Sequence, residues 1–378
     1  MQRKISALSG LLGLAAALLT GGAVGVSAME ITDLKGRTVT LENPAERVLL
    51  GEGRFLIALG LLTEDPVART AGMLGEFQRF DPDGYARFSA AFPALKDIPT
   101  YGQTTTESVS LETALSLQPD AAFFGLSGHG PNERSQVVID ALTEAGIPVL
   151  FIDFRDNPLE HTARSMEIIG QVLGLEAEAK EYNAFYRTEI ARVTGPLKGF
   201  AGPKPSVFLD VRAGLGSGCC FTIARGMLST LIDAAGGRNI AADVVPGAAG
   251  PLNLEYVIES NPDLYIGTAV GSLKRGATPG GPIVLGAGVD EETATKTLAG
   301  VTVRPGISSL PAVEAKRAYG IWHHFYNSPL NVYALQVFAK WLHPELFAEL
   351  DPEATKAALL GRLKPADMDG VYAVSLSE

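Results

Sequence analysis

The chain is poor in several residue types, and each shortage excludes a class of protein. Only two cysteines occur in 378 residues, too few for a disulfide scaffold or a zinc ribbon. Basic residues number 31 against 42 acidic ones, so the basic excess typical of nucleic-acid-binding proteins is missing. Charged residues make up only 19% of the chain and hydrophobic residues 46%, which excludes an intrinsically disordered protein. The length predicts two domains, or three, with a large core.

Motifs of common enzyme classes are missing or incomplete. The sequence contains no P-loop and no Gly-x-Ser-x-Gly nucleophile elbow. The segment Gly214–Gly218 follows a predicted strand and precedes a helix, as a dinucleotide-binding loop does. The third glycine of that fingerprint falls on Cys219, so the match fails. We therefore expect a protein that is not an enzyme, with a Rossmann-type enzyme as a less favoured alternative.

The one long apolar run lies at the N-terminus. Arg3 and Lys4 precede the apolar segment Ile5–Leu19, and the small residues Val26–Ala28 follow, a pattern typical of a cleaved secretory signal peptide. An uncleaved membrane anchor is disfavoured because the run is short for a membrane span and rich in Gly and Ala. No cysteine follows Ala28, so we expect no lipid attachment. The mature protein should be exported, to the periplasm if the source is a Gram-negative bacterium.

Short apolar strands alternate with helical stretches, which predicts an α/β fold with mostly parallel sheets. A helical stretch without Gly or Pro at 176–193 is long enough to join two globular lobes, and a cluster of Gly and Pro after it marks a boundary. We divide the chain into a signal peptide (1–28), an N-terminal lobe (29–174), a linking helix (175–199) and a C-terminal lobe (200–378).

One local pattern occurs twice, at an offset of 143 residues. Ser110–Glu112 is followed by Pro119–Asp120, and Asn253–Glu255 is followed at the same distance by Pro262–Asp263. Each copy predicts a capped helix that begins with Leu-Glu, then a turn and an apolar strand. A glutamate that merely suits the helix dipole explains one copy. Two copies, one in each lobe, indicate a duplicated architecture and a symmetric surface for a partner.

Together these features resemble the substrate-binding proteins of ABC importers for iron–siderophore complexes, haem and vitamin B12. The resemblance covers nearly all of the mature chain. The motifs that carry it are the signal peptide, Ile31–Asp33, Arg37–Val39, Pro44–Val48, both Leu-Glu…Pro-Asp units, Ala145–Val149 and Ala235–Ile240. It implies two Rossmann-like lobes joined by a single long α-helix. It also implies that Glu112 and Glu255 dock onto arginines of an ABC permease, which works with its ATPase.

Two segments of the C-terminal lobe, Ile321–Pro329 and Ala339–Phe347, are similar to ferric-siderophore members rather than to the vitamin B12 type. We therefore expect a monomer that binds a ferric siderophore or a similar iron chelate, with no resident cofactor, since the ligand itself carries ferric iron. A haem carrier of the same fold is an alternative. A carrier of free metal ions needs three or four converging ligands, for which His129, His323 and His324 are the candidates. A signalling or structural module of the same fold is a further alternative.

Ligands of open α/β sheets collect at the loops beyond the carboxyl ends of the strands. A ferric siderophore is bulky and often anionic, so it needs Arg or His for charge and aromatic faces for its apolar parts. The loops in question are 51–54, 101–106, 125–131, 153–156, 212–221, 268–274 and 322–327. The candidate ligand-binding residues are Arg54, Thr104, His129, Arg212, Trp322, His323, His324 and Tyr326.

Some of these side chains have structural alternatives. Arg54 suits a solvated helix start, and His129 suits an ordinary loop. Arg155 is also in a cleft loop, but we expect it to pair with its neighbours Asp153 and Asp156. Alternate residues of 322–326 must point in opposite directions, so some of them belong to the core.

The pair Cys219–Cys220 lies near the same loops. Export exposes it to an oxidising compartment. Three alternatives stay open: a vicinal disulfide, two buried thiols, or a metal-binding pair. The sequence does not name a metal.

Overall fold

The computed structural model describes residues 28–216, 218–276, 278 and 280–377. The predicted signal peptide therefore lies outside the described residues except for Ala28. Within the described ranges, no helix is both long and apolar enough to cross a membrane. The described chain opens with an antiparallel hairpin, β1 (Met29–Thr32) and β2 (Thr38–Leu41), in the segment where the sequence alternates.

The first sheet has five parallel strands. They are β3 (Val48–Leu50), β4 (Thr70–Leu74), β5 (Thr100–Gly102), β6 (Ala121–Gly125) and β7 (Val149–Ile152). Their spatial order is β5-β4-β3-β6-β7, so the order reverses between β3 and β6, as in doubly wound folds. Nearly every strand residue is buried, which explains why these strands are continuous apolar runs in the sequence.

Six helices connect and cover this sheet. They are α1 (Phe55–Gly60), α2 (Glu76–Phe80), α3 (Pro82–Ala91), α4 (Leu111–Ser116), α5 (Gln136–Glu144) and α6 (Pro158–Leu173). Gly174 ends α6 in the left-handed conformation, with a φ of 68°, where glycine is unstrained.

Helix α7 (Glu176–Leu197) lies inside the range expected for the link. Its 22 residues span about 33 Å at 1.5 Å per residue. It packs on α6, and two of its buried tyrosines reach the C-terminal lobe. The Tyr182 hydroxyl donates to the Pro329 carbonyl at 2.6 Å, and the Tyr186 hydroxyl donates to Asn331 Oδ1 at 2.7 Å. The helix is therefore fastened to both lobes.

The second sheet has the order β10-β8-β12-β14-β16 and is parallel except for β16. The strands that follow α7 are β8 (Ser206–Asp210), β9 (Phe221–Ile223), β10 (Arg238–Asn239), β11 (Ala249–Pro251), β12 (Leu264–Ala269), β13 (Gly286–Ala287), β14 (Ala318–Trp322), β15 (Gly370–Val371) and β16 (Ala373–Ser375). The helices are α8 (Met227–Ala234), α9 (Leu254–Ser260), α10 (Glu291–Thr302), α11 (Pro311–Glu314), α12 (Asn331–Leu342) and α13 (Pro352–Arg362). The predicted fold class, two Rossmann-like lobes with mostly parallel sheets joined by a long helix, is confirmed. The limits of the two lobes stay a prediction.

The two lobes share one hydrophobic core. A continuous buried cluster runs from Leu50 and Phe154 in the N-terminal lobe, through Tyr186 of α7, to Phe208 and Leu335 in the C-terminal lobe. Separate domains that slide or hinge freely have smaller and more polar interfaces. The shared core therefore restricts how far the lobes can move apart.

The duplicated pattern has the same structural role in each lobe. Ser110 Oγ accepts the backbone N–H of the third residue of α4 at 3.2 Å, and Asn253 Oδ1 caps α9 at 2.7 Å. The Asp120 carboxylate accepts two backbone N–H groups just before β3, at 2.8 and 2.9 Å. The Asp263 carboxylate accepts the backbone N–H of the first residue of β8 at 2.7 Å. Each Pro-Asp turn thus fixes where the first parallel strand of its lobe begins.

The C-terminal tail contacts both lobes. It adds β16 to the second sheet. It also packs on α3 of the N-terminal lobe, where Arg87 Nη1 donates to the Asp367 carbonyl at 3.1 Å. The tail therefore links the second sheet to α3 of the N-terminal lobe.

Candidate ligand-binding cleft

A cavity of about 550 Å³ opens between the lobes at the carboxyl ends of the strands. Its walls come from the segments that follow β4, β6 and β7 on one side and β8, β12 and β14 on the other. Parallel strands end at the same edge of a sheet, so residues far apart in the chain meet there. Five of the eight predicted ligand-binding residues line the cavity: His129, Arg212, His323, His324 and Tyr326.

Arg54 lies beneath the cavity rather than in its wall. Its side chain is 2% exposed, and Nη2 donates to Glu52 Oε2 at 2.9 Å. Its Nε lies 3.6 Å from Glu76 Oε1. Burial of a guanidinium demands such carboxylate partners, and they hold Arg54 as a structural cation below the ligand space. The sequence shows neither the burial nor the partners.

We call the buried charged group beneath the cavity, formed by Glu52, Arg54 and Glu76, the floor. Glu52 lies at its centre. Oε2 accepts from Arg54 and from Asn327 Nδ2 (2.7 Å), and Oε1 accepts from the His129 N–H (3.0 Å) and Arg155 Nη2 (3.3 Å). These four donors come from both lobes. Burial raises the pKa of Glu52, but Arg155 and Arg54 outweigh it, so the pKa lies below the usual range and the carboxylate stays ionised. A Cβ at Gly128 would collide with this carboxylate, so only glycine lets the loop approach it.

The Tyr326 hydroxyl joins the floor to the cavity. Arg54 Nη2 lies 3.1 Å from it and Arg155 Nη2 lies 3.2 Å from it, and both donate because a guanidinium cannot accept. The hydroxyl proton is left for His129 Nε2, 3.1 Å away. With both lone pairs and the proton engaged, Tyr326 offers a ligand its ring rather than its hydroxyl.

The three cleft histidines are held neutral. Burial lowers the pKa of His129 to about 4, and nearby arginines add to the effect while Glu52 opposes it. Burial also lowers the pKa of His323 and of His324 well below the usual value, with Arg212 and Arg54 respectively as the next causes. His324 Nε2 contacts the Phe80 carbonyl at 3.1 Å, so it carries the proton, and Nδ1 accepts from Arg54 Nη1 at 3.0 Å.

Glu76 differs from Glu52 although the two share Arg54. It is fully buried and accepts the backbone N–H groups of Gly53 and Arg54 at 2.8 and 3.0 Å. Burial raises its pKa to about 7, with the Glu52 charge as a smaller contribution and Arg54 opposing. The floor thus contains one carboxylate that titrates near neutrality.

The walls carry the positive charge that a ligand would meet. Arg79 and Arg155 come from the N-terminal lobe, and Arg212 and Arg275 come from the C-terminal lobe. Arg155 is tied to Glu52, not to Asp153 and Asp156 as expected; its backbone N–H, rather than its guanidinium, bonds Asp153. Among the described residues, the other three arginines form no ion pair, and no acidic side chain lines the cavity.

Arg212 is held in an unusual backbone conformation. Its φ is 58°, in the left-handed region, where a residue with a Cβ costs ~1–2 kcal/mol. Its N–H donates to Thr268 Oγ1 at 2.7 Å, and its guanidinium lies 5.2 Å from the centroid of the Phe221 ring. Thr268 Oγ1 also contacts His323 Nδ1 at 3.0 Å. Strained residues of this kind concentrate at functional sites.

Apolar groups complete the cavity lining. Leu215 is 53% exposed and Phe221 is 39% exposed, high values for large apolar side chains. Phe80 stands against the His129 ring, with the centroids 4.8 Å apart. The cleft therefore combines guanidinium groups with apolar surface, which suits a ligand that has both charged and apolar parts.

Besides Arg54, two further predicted residues lie outside the cavity lining. Trp322 is 3% exposed and packs edge-on against Phe325 and Tyr372, so it belongs to the core. Thr104 lies half-buried in the loop after β5. The structure brings neither side chain to the ligand space.

The sulfur atoms of Cys219 and Cys220 are bonded to each other, the first of the three alternatives. Cys220 is buried and directly precedes Phe221 of the cavity wall. Their oxidation state in solution stays a prediction. Over the part of the chain that the structure describes, no three His, Cys, Asp or Glu side chains are arranged to hold a metal ion.

Three important residues are missing from the predicted set. Glu52 lies inside the predicted loop 51–54, but a buried carboxylate has no sequence signature of its own. Arg275 lies one residue beyond the predicted loop 268–274. Arg79 follows β4, which the sequence analysis does not identify; counting that strand would have placed Arg79 at the cleft.

Known proteins similar to this chain are binding proteins. A model of the family described as periplasmic binding protein matches residues 71–322. A cobalamin-binding protein of Halobacterium salinarum is 25% identical over 287 residues, which cover 74% of this chain and 69% of that protein. These similarities confirm the prediction of a binding protein rather than an enzyme.

Solved structures agree with the fold. The TroA-like periplasmic binding protein FepB from Veillonella parvula is 29% identical, with 92% of this chain and 99% of that chain covered and a TM-score of 0.79. The molybdate periplasmic binding protein MolA of Haemophilus influenzae is 16% identical, with 90% and 99% covered and a TM-score of 0.67. At that identity the second likeness shows the fold alone.

Proposed function

This chain belongs to the periplasmic binding protein family, and we propose that it binds an anionic iron chelate, a ferric siderophore, and delivers it to an ABC-type permease. The observation that carries this proposal is the charge of the cleft. Arg79, Arg212 and Arg275 line it without an ion-pair partner among the described residues. Guanidinium groups bind carboxylate, phenolate and similar oxygen anions through charge-assisted hydrogen bonds. A ligand that supplies such oxygens would give these arginines their ion-pair partners.

Two further features support a chelate rather than a bare ion. The cavity of about 550 Å³ is in the range of small-molecule sites, far larger than an ion needs. Its histidines are neutral and already hydrogen-bonded to Tyr326, Thr268 and Arg54. Iron enclosed in a chelate needs no protein ligands, which agrees with the lack of a metal-ligand group in the described residues.

Cobalamin is the second candidate, because the relative from Halobacterium salinarum is named a cobalamin-binding protein. Its corrin ring would use the apolar wall formed by Leu215 and Phe221. The three unpaired arginines are harder to explain with that ligand, since a predominantly uncharged ring leaves most of their charge without a counterion.

A titration of the mature chain tests the choice. We would record tryptophan fluorescence and ligand absorbance with a ferric tricatecholate, a ferric trihydroxamate, haem, cyanocobalamin and ferric, zinc or manganese ions alone. The proposal expects the tightest binding for the strongly anionic ferric tricatecholate, weakened by salt. Tightest binding of cyanocobalamin, or a response to bare ions only, would contradict it.

We propose that Glu112 and Glu255 dock the loaded protein on the permease. Both side chains are exposed in the first turns of α4 and α9. Helices that connect parallel strands run antiparallel to them, so both helices begin at the edge of the sheets where the cleft opens. One permease surface can therefore contact the two glutamates and face the ligand at once.

Uptake measurements separate docking from binding. The double variant E112A/E255A should keep the ligand affinity of the unaltered protein and lose transport in cells. E144A, which removes an exposed glutamate from the other end of a helix, α5, is the control. Transport that survives in E112A/E255A would contradict the docking role. We also propose export to the periplasm after cleavage following Ala28, which N-terminal sequencing of the secreted protein tests.

A further inference from the structure

A short segment of the C-terminal lobe crosses to the N-terminal lobe at the cleft. We call residues 271–276 the strap. The strap leaves the second sheet after β12 and is anchored there by a hydrogen bond from the Gly271 N–H to the Ile283 carbonyl, 2.8 Å long. Its far end reaches α3 of the other lobe, where the Asp83 carboxylate accepts the N–H groups of Leu273 and Lys274 at 2.7 and 3.3 Å.

The Asp83 carboxylate does not serve its own helix. Asp81 is the residue that caps α3, since its Oδ1 accepts the Gly84 N–H at 3.0 Å. Asp83 stands in the first turn of α3 and points its carboxylate out of the helix, toward backbone N–H groups of the opposite lobe. Its hydrogen bonds therefore join the two lobes rather than stabilise a helix end.

The strap brings an arginine into the cavity wall. Arg275 lines the cleft, and its Nη2 donates to the Arg79 carbonyl at 2.6 Å. Two guanidinium side chains, one from each lobe, thus share one side of the cavity. Neither has an ion-pair partner among the described residues. Like charges gathered on one wall repel unless an anion lies between them.

We propose that Arg275 contacts the anionic part of the ligand and that Asp83 is its positioning residue, acting through the strap. This inference rests on the proposed function and deepens it, since it assigns recognition of the chelate's charge to a pair of arginines from opposite lobes. Without the Asp83 bonds the strap loses its backbone attachment to α3. The Arg275 side chain keeps its bond to the Arg79 carbonyl but loses the fixed backbone that positions it. Pre-organised donors bind an anion more tightly than mobile ones because less entropy is lost on binding.

A double-mutant cycle on the mature protein tests the coupling. We would measure the Kd of a ferric tricatecholate for D83A, R275Q and D83A/R275Q. R275Q should weaken binding about tenfold, as loss of a charge-assisted hydrogen bond does. D83A should weaken it ~3–10-fold, and the double variant should match R275Q within about twofold. An uncharged ferric trihydroxamate should show changes below about twofold throughout.

The control is D97A, which removes an exposed carboxylate of the same lobe. It should leave the Kd unchanged. Additive losses in D83A/R275Q would overturn the proposal, because Asp83 would then act independently of Arg275. Equal losses for the charged and uncharged chelates would also overturn it, since they would indicate a general structural defect.

Hydrogen exchange without any ligand provides a second readout. The Leu273 N–H should exchange faster in D83A, and its rate should be unchanged in R275Q and D97A. The Lys274 N–H keeps its bond to Ser272 Oγ at 3.1 Å and should change less. Unchanged exchange in D83A would overturn the role of Asp83 even if affinity falls. If the unaltered protein binds neither chelate, the proposed function and the assignment of Arg275 both fail, while the exchange result still decides whether Asp83 holds the strap.

Discussion

The floor and the walls of the cleft use the same residue type in different ways. Arg54 in the floor is 2% exposed and bound to Glu52, while Arg212 in the wall is exposed and its guanidinium lies beside the Phe221 ring. A buried guanidinium is stable only with carboxylate partners, whereas an exposed one keeps its hydration and stays available. The floor arginine has carboxylate partners of its own, whereas in the walls the proposed ligand would supply the anions.

Arg155 stands between these two cases. Its side chain is 13% exposed, its guanidinium bonds Glu52 at 3.3 Å, and it also lines the cavity. The guanidinium lies 4.7 Å from the centroid of the Tyr326 ring. The partner and the burial of an arginine, not its position in a strand-end loop, therefore decide whether it supports the fold or stays available in the cleft.

Replacing the floor arginine should have the largest effect of these substitutions, and it should act on the free energy of unfolding. R54M leaves Glu52 and Glu76 buried with less compensation, and we expect the free energy of unfolding to fall by about 3–5 kcal/mol. R212M, its counterpart in the wall, should change stability by less than about 0.5 kcal/mol. Urea unfolding of both variants measures the difference. Equal free energies of unfolding for R54M and R212M would contradict the stabilising role of the ion pairs between Arg54 and the floor carboxylates.

The pH dependence of the free energy of unfolding should also show the titration of a buried carboxylate in the floor. Glu76 has a folded pKa of about 7 against an ordinary value of 4.5, so between these values the folded state binds more protons than the unfolded state. Its contribution is fully present below pH 4.5 and is lost as pH rises through about 7. Burial raises the pKa of Asp81 to about 6, which adds a slope of the same sign.

The three neutral histidines of the cleft have lowered pKa values and oppose this slope below about pH 6.5, so the effect of Glu76 is read as a difference between variants. We expect that between about pH 5 and 7.5 the slope of the free energy of unfolding against pH is less negative or more positive in E76Q than in the unaltered protein. E64Q, which changes an exposed carboxylate, is the control. Urea unfolding at several pH values is the measurement. A slope in E76Q equal to that of the unaltered protein would mean that Glu76 stays ionised in the fold.

Replacing a wall arginine should affect binding instead of stability. R212Q should weaken binding of a ferric tricatecholate about tenfold, as expected for one charge-assisted hydrogen bond, and leave the melting temperature unchanged. Fluorescence titration and thermal unfolding of the same sample provide both values. A lowered melting temperature with unchanged affinity would assign Arg212 to the structural group with Arg54.

The smallest effect is expected at Thr104. Because its side chain does not line the cavity, T104V should change the Kd of the ferric tricatecholate by less than about twofold. The same titration detects any larger change. A tenfold loss would extend the ligand space to the loop after β5.

The sequence predicts the fold well because the strands are uniform apolar runs and the Pro-Asp units repeat. Asp120 and Asp263 bond the starts of β3 and β8 in the same way, so the repeat is a physical duplication. Strand β4 is missed, and Arg79 with it. Its segment, Thr70–Leu74, contains a glycine and follows a polar turn, which weakens the apolar signal.

The cleft is predicted less completely because loop position does not report burial. Arg54 and His324 follow strands and Trp322 is the last residue of one, yet Arg54 lies beneath the cavity and Trp322 in the core, while His324 lines the cavity. The carboxylates of Glu52 and Glu76, which stabilise buried Arg54, lie 2 and 22 residues from it in the sequence. Only the folded chain brings both to it. The Asp83 carboxylate bonds the strap at Leu273, 190 residues along the chain, which no local pattern indicates.

The central claim is that unpaired wall arginines select an anionic chelate. The direct test compares the Kd values of a ferric tricatecholate and a ferric trihydroxamate for the mature protein and for R79Q/R212Q/R275Q, with thermal unfolding as the check on folding. We predict that the unaltered protein prefers the anionic chelate and that the triple variant, folded as before, loses this preference. A triple variant that keeps the preference would contradict the claim.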